Sequence, residues 1–84
     1  MTSRWPYEYS DIFNEKIANL KNPLSAHRIQ RLCEWIAEQQ DPSRISNITT
    51  CEEVLNKKLF FPQYGWNIVF RFSDQKITFI MFYN

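Results

Sequence analysis

The sequence predicts an α+β fold: two helices packed on one face of a small, mainly antiparallel sheet, in the two-layer order β-α-α-β-β-β. Three observations carry it. Two seven-residue runs of aromatic and β-branched residues, Trp66–Phe72 and Ile77–Tyr83, flank the polar tetrad Ser73-Asp74-Gln75-Lys76, which is the signature of a hairpin. Two stretches, Asp11–Lys21 and Ser25–Gln40, repeat apolar residues with helical spacing. A short aromatic alternation, Trp5-Pro6-Tyr7-Glu8-Tyr9, precedes both. Helices that follow one another without an intervening strand lie together on one sheet face.

Pro6 cannot donate a ladder hydrogen bond, so the first strand is an edge strand or begins after the proline. Ser10 is a suitable N-cap, and Asp11 places a negative charge in the first turn. From Asp11 to Lys21, Ile12, Phe13, Ile17 and Leu20 share one side of an amphipathic helix that Asn22-Pro23 ends. Ser25 is read as the cap of the second helix, with Leu24 packing on Ile29 as a hydrophobic staple. Ile29, Leu32, Cys33, Ile36 and Ala37 form its buried stripe, and Asp41-Pro42 stops it. Trp35 lies off the stripe, as a flank of the core or a partner contact. Ser43–Thr49 shows no period. Thr50-Cys51-Glu52-Glu53 reads as a capping box for a helical turn over Cys51–Asn56. Leu59-Phe60-Phe61 reads as a strand, and Pro62-Gln63-Tyr64-Gly65 as a turn using the only glycine.

In the hairpin, alternation sends Trp66, Ile68, Phe70 and Phe72 to one face. Ile77, Phe79, Met81 and Tyr83 share a face opposite Thr78, Ile80, Phe82 and Asn84. Both faces carry apolar groups, while two helices cover one. The other is left to solvent, a partner or a substrate.

At 84 residues the chain is expected to be one domain, 1–84. Its aromatics, seven Phe, four Tyr and three Trp, let few residues bury much area. No apolar run approaches the roughly 20 residues that span a bilayer, and the N-terminal residues do not read as a signal peptide. A cytoplasmic location without membrane attachment is expected. Cys33, Cys51 and one His lack metal-ligand spacing, so two reduced thiols and no metal or other cofactor are expected. Ten Lys and Arg against nine Asp and Glu leave a net charge of +1, which by itself does not point to nucleic acid.

With that order of elements and the hairpin Trp66, Ile68, Phe70, Phe72 and Asp74, followed by the closing tripeptide Phe82-Tyr83-Asn84, the chain resembles the RelE superfamily of toxin ribonucleases. The similarity is greatest to the HigB branch, whose helix rich in basic residues corresponds to His27-Arg28-Ile29-Gln30-Arg31-Leu32. The resemblance covers most of the chain in element order and about 20 residues in motif. It implies an endoribonuclease acting on mRNA, with the ribosome supplying part of the site and a cognate antitoxin as partner. The family pattern has Arg at Asn67, His at Asn84 and an acidic residue at Phe82. Asparagine neither carries a positive charge nor shuttles a proton at neutral pH. Cleavage through the 2′-hydroxyl needs a proton acceptor, a proton donor and positive charge at the phosphate. The groups that could serve are Arg71 and Tyr83 as catalytic residues, with Lys57, Lys58, Arg31 and His27 as RNA contacts and Tyr64 in addition.

Each has a plain alternative. His27 reads equally as a surface histidine, Arg71 as the partner of a carboxylate, Lys57-Lys58 as solvated lysines and Tyr83 as a core residue. A second functional class is therefore kept: a non-catalytic, protein-binding regulator or inhibitor, of the immunity or phage type, on the same scaffold. Trp5, Tyr7, Tyr9, Tyr64 and Phe82 are its candidate anchors. A homodimer through the uncovered sheet face or the first strand's edge is compatible with both classes.

Overall fold

Ser10 joins the sheet to the helices. Its backbone N–H donates to the Phe79 carbonyl at 2.9 Å, and its hydroxyl accepts from the Phe13 N–H at 3.1 Å, capping the first helix. The same hydroxyl donates to the Ile80 carbonyl at 2.6 Å. In the computed structural model, which describes residues 4–51 and 55–84, this serine closes strand β1 (Tyr7–Tyr9) and opens α1 (Asp11–Ala18). Then follow α2 (Pro23–Glu38), a 3-10 turn (Pro42–Arg44), β2 (Thr49–Thr50), β3 (Asn56–Phe61), β4 (Trp66–Ser73) and β5 (Lys76–Tyr83).

The sheet order is β1-β5-β4-β3-β2. Strands β2 to β5 form an antiparallel meander, and β1 adds to β5 in parallel as an edge strand. Because β1 and β2 occupy opposite edges, the two helices between them must cross the sheet, and they cover one face. Phe13 from α1 and Ile29, Cys33, Ile36 and Ala37 from α2 pack on Leu59, Ile68, Phe70, Ile77, Phe79 and Phe82. This is the predicted two-layer arrangement.

The helix boundaries differ from the sequence reading. α1 ends at Ala18, with Asn19 as its C-cap, instead of reaching Lys21. Pro23 begins α2 instead of terminating α1. Proline lacks an N–H that the first helical turn would leave unpaired anyway, and its φ suits that position. Asn22, not Ser25, is the cap, its side chain accepting from the Leu24 N–H at 3.0 Å. Leu24 is 69% exposed and is not a staple. Ile12 also faces solvent, at 54% exposure. The helical turn expected over Cys51–Asn56 falls largely on residues 52–54, outside the described residues. Of its flanks, Thr50 belongs to β2 and Asn56 begins β3.

Two of the hairpin turns lie where the sequence predicts, at Pro62–Gly65 and within Ser73–Lys76. Gly65 takes φ +73°, as the first turn requires, and Asp74 and Gln75 take φ +54° and +61°. Two successive positive φ values make the second turn of the type whose twist matches a hairpin.

The β4–β5 pairing corrects the simple alternation. Phe70 pairs with Phe79, but the next residue, Val69, pairs with Met81. Ile80 is thus an extra residue, a β-bulge, and its carbonyl is the one that Ser10 satisfies. Beyond the bulge every side chain changes face. Phe82 therefore enters the core, 3% exposed, with its ring 4.9 Å from Phe13 and 5.6 Å from Trp66. Met81 and Tyr83 pass to the uncovered face, the reverse of the sequence assignment. Among the described residues no helix is long and apolar enough to cross a membrane.

Candidate functional site

The sheet face opposite the helices is built from residues that pair across strands. Glu8 on β1 pairs with Thr78 on β5, Thr78 with Arg71 on β4, and Arg71 with Asn56 on β3. Directly paired residues share a face, so these four make one polar row across four strands. Arg71 Nε donates to Asn56 Oδ1 at 2.9 Å, and the Thr78 hydroxyl donates to Glu8 Oε1 at 3.4 Å. Lys76 Nζ pairs with the same Glu8 oxygen at 2.6 Å. The Lys76 hydrogen bond, then its charge, hold the Glu8 carboxyl below the usual carboxylate range, so it is an anion at neutral pH. Asn56, Arg71, Thr78 and Ile80 line a shallow depression of ≈ 290 Å³.

Two further rows lie alongside. Lys58, Val69 and Met81 pair in register, as do Phe60, Asn67 and Tyr83. Phe60 is 47% and Tyr83 38% exposed. Asn67 Nδ2 makes a long contact, 3.5 Å, to the Tyr83 carbonyl. The described residues thus give this face three cations, Lys58, Arg71 and Lys76, against one carboxylate, Glu8.

The sequence-predicted residues are divided by this geometry. Arg71, Lys58 and Tyr83 share the open face, but Arg71 and Tyr83 are not adjacent. Asn67, which pairs with Tyr83, lies four residues from Arg71 along β4, about 13 Å. Lys57 pairs with Phe70 and so faces the other way, its ammonium donating to Thr50 Oγ1 at 3.1 Å. His27 and Arg31 are exposed on α2, in the layer behind the sheet.

Of the aromatics expected as exposed anchors, most are committed to packing. Trp5 donates its indole N–H to the Gln39 carbonyl at 2.9 Å and lies edge-on to Phe72. Tyr7 and Tyr9 pack around Phe79, and burial, reinforced by neighbouring groups, pushes the Tyr9 phenol well above its ordinary pKa. Phe82 is in the core. Only Tyr64 stands exposed, with the Arg28 guanidinium 4.7 Å over its ring. Tyr64 lines a groove of ≈ 440 Å³ with Arg31, Leu32, Trp35, Phe61 and Gln63. There Trp35 lies edge-on to Phe61 and remains 41% exposed. Asn84 borders a third recess of ≈ 390 Å³, which Lys16 of α1 also lines.

Sequence reasoning missed Glu8, Asn56, Thr78 and Phe60. No local pattern marks them, because each owes its place to strand register over as many as 70 positions. Cys33 is buried and Cys51 partly buried, both unpaired in any disulfide, and burial raises the Cys33 thiol pKa. Among the described residues no three His, Cys, Asp or Glu converge as a metal site would require.

No protein-family model and no curated protein sequence matches the chain. Two solved structures resemble it. The isolated Escherichia coli RelE toxin superposes with a TM-score of 0.65 over 93% of this chain and 81% of that one, at 14% identity. The intact E. coli RelBE toxin–antitoxin complex gives 0.55 over 93% of each chain, at 10% identity. At such identities the likeness is one of fold: the architecture is RelE-like, as the order of elements predicted.

Proposed function

We propose that this chain is a RelE/HigB-type toxin-like protein that acts on mRNA at the ribosome through its open sheet face. The observation that carries the reading is a depression lined by Asn56, Arg71, Thr78 and Ile80 on the uncovered face of a RelE-like sheet. Arg71 presents a planar guanidinium suited to a phosphate, and Asn56 orients it from the neighbouring strand. Lys58 adds charge one row away. In this reading Arg71 holds the phosphodiester and stabilises the charge that develops during attack by the 2′-hydroxyl. The only histidine, His27, is on the other layer, and Glu8 is committed to Lys76. Among the described residues neither is placed to move a proton beside Arg71, and the groups that do so are assigned to the ribosome. A cognate antitoxin is the expected protein partner, in keeping with the toxin–antitoxin complex of the second structural relative, and a cytoplasmic location follows from the target.

The test is induction in a bacterial host, with growth and mRNA 5′-ends followed together. The expected result is growth arrest with new cleavage ends, both relieved by Arg71→Ala. Normal growth while soluble, folded protein accumulates would overturn the proposal.

A second reading, a non-catalytic regulator that binds without cutting, is favoured by one observation. The backbones of the two candidate catalytic residues, Arg71 and Tyr83, stand about 13 Å apart along the sheet, so the two are not neighbours in the ladder. Growth arrest without new mRNA ends would select it.

A further inference from the structure

We infer that the outer face of the helical layer is a self-association surface, on which α1 of one copy docks in the α2 groove of a second copy of this chain. This surface lies behind the open sheet face and shares no residue with it. A helix packed on a sheet is expected to turn polar groups to water. Here α1 and α2 leave Ile12, Leu24 and Trp35 exposed, and Tyr64 of the β3–β4 turn stands exposed in the same groove as Trp35. Large exposed apolar groups gathered on one face mark an interaction surface. Leu24, Arg28, Arg31 and Trp35 recur at i, i+4, i+7 and i+11, so they form one stripe along α2, basic between apolar ends. Trp, Tyr and Arg together are the residue types that anchor protein interfaces.

Charge complementarity selects a second copy as the occupant. α1 exposes Asp11, Ile12 and Glu15 together, while its Lys16 lines the recess beside Asn84. Among the described residues no carboxylate lines the groove, and Glu34 of α2 acts on Tyr9 and Cys33, on the flank toward β1. Asp11, Glu15 and Arg31 make no ion pair among the described residues, and Arg28 lies over the Tyr64 ring at the groove's margin. Asp11 and Glu15 are about 6 Å apart along α1, and Arg28 and Arg31 about 4.5 Å apart along α2, a difference that long side chains absorb. With the two carboxylates on the two guanidinium groups, Ile12 between them enters the groove of ≈ 440 Å³ between Trp35 and Tyr64. Both patches belong to one layer of one chain. A twofold axis therefore pairs α1 of each copy with the groove of the other and closes the assembly as a dimer, with both sheet faces left outward.

The experiment is sedimentation equilibrium over a concentration series, with circular dichroism to show that each variant is folded. The wild-type chain is expected to reach twice the monomer mass, with a dissociation constant that rises with salt. Ile12→Lys, Arg31→Glu and Glu15→Arg alter exposed positions, and each is expected to weaken the dimer at least about 30-fold, the loss typical of an interface anchor or of like charges brought together. Arg31→Glu mixed with Glu15→Arg is expected to recover a heterodimer. One of its two reciprocal contacts is then wild type, and the other has its charges exchanged but still opposite. A monomer alone up to about 1 mM chain would overturn the surface. So would a dimer that Ile12→Lys and Arg31→Glu leave unchanged, which would place the contact elsewhere on the molecule. Failure of the mixed charge variants to recover association would overturn the pairing of α1 with α2.

Discussion

The β-bulge at Ile80 can be tested by comparing two neighbouring residues. Strict alternation through β5 would bury Tyr83 and expose Phe82, whereas the bulge does the reverse. Phe82 is 3% exposed and touches Phe13 and Trp66, so Phe82→Ala removes a whole ring from between α1 and the sheet. Truncation of a buried phenylalanine costs about 3–5 kcal/mol through lost transfer energy and the cavity left behind. Tyr83, at 38% exposure, should lose less than about 1 kcal/mol on the same change. A domain of this size has a total stability of roughly 4–13 kcal/mol and a urea slope near the low end, about 1 kcal/mol per molar. Urea denaturation followed by circular dichroism should therefore show a midpoint lowered by about 3–5 M for Phe82→Ala and by under about 1 M for Tyr83→Ala. If Phe82→Ala fails to fold, Phe82→Leu, with an expected loss of about 1–2 kcal/mol, gives the same ranking. A larger loss from Tyr83→Ala than from the Phe82 variant would refute the bulge and the face assignments built on it.

Ser10→Ala removes both the α1 cap and the bond to the bulge carbonyl, and should cost about 1–3 kcal/mol by urea denaturation, more than a cap alone. Gln75 holds φ +61° in the β4–β5 turn, so Gln75→Gly should raise the thermal midpoint by the equivalent of about 0.5–1 kcal/mol. The Glu8 carboxyl has its pKa lowered by Lys76, so the pair stabilises the fold above the ordinary carboxylate pKa and loses that contribution as pH falls through the depressed value. Glu8→Gln should accordingly melt below wild type at pH 7 and level with it in strong acid, and 1 M salt should shrink the pH 7 difference. With a thiol reagent at pH 8, Cys33 should remain unmodified until urea unfolds the protein, since burial raises its pKa, while Cys51, only partly buried, should react first.

The elements legible in the sequence are those whose signal is local. Ser10 and Asp11 marked the start of α1, the spacing of Ile29, Leu32, Cys33, Ile36 and Ala37 marked the buried stripe of α2, and Gly65 and the Asp74-Gln75 pair marked the turns. The misplaced boundaries turned on choices between two local signals. Asn22-Pro23 is as good a helix start as a helix stop, and Ser25 was an available but unused cap. β2 escaped notice because two threonines carry no periodicity, and they become a strand only by pairing with Lys57 and Lys58.

The placement of the candidate residues was not legible in the sequence. The family resemblance pointed to Arg71, the two lysines and the last tyrosine, residue types that suit the chemistry of phosphate. Which of them act together depends on strand register, which no local signal encodes. Alternation along β3 separates Lys57 from Lys58. The parallel docking of β1 brings Glu8 beside Thr78 from 70 positions away, and one extra residue at Ile80 exchanges the fates of Phe82 and Tyr83. The sequence by itself determined the two-layer α+β plan, because helical and strand periodicities are written in neighbouring residues. Only the tertiary structure decided which face each polar group occupies. A side chain's face is the running sum of every step and bulge along its strand, and a single insertion reverses it.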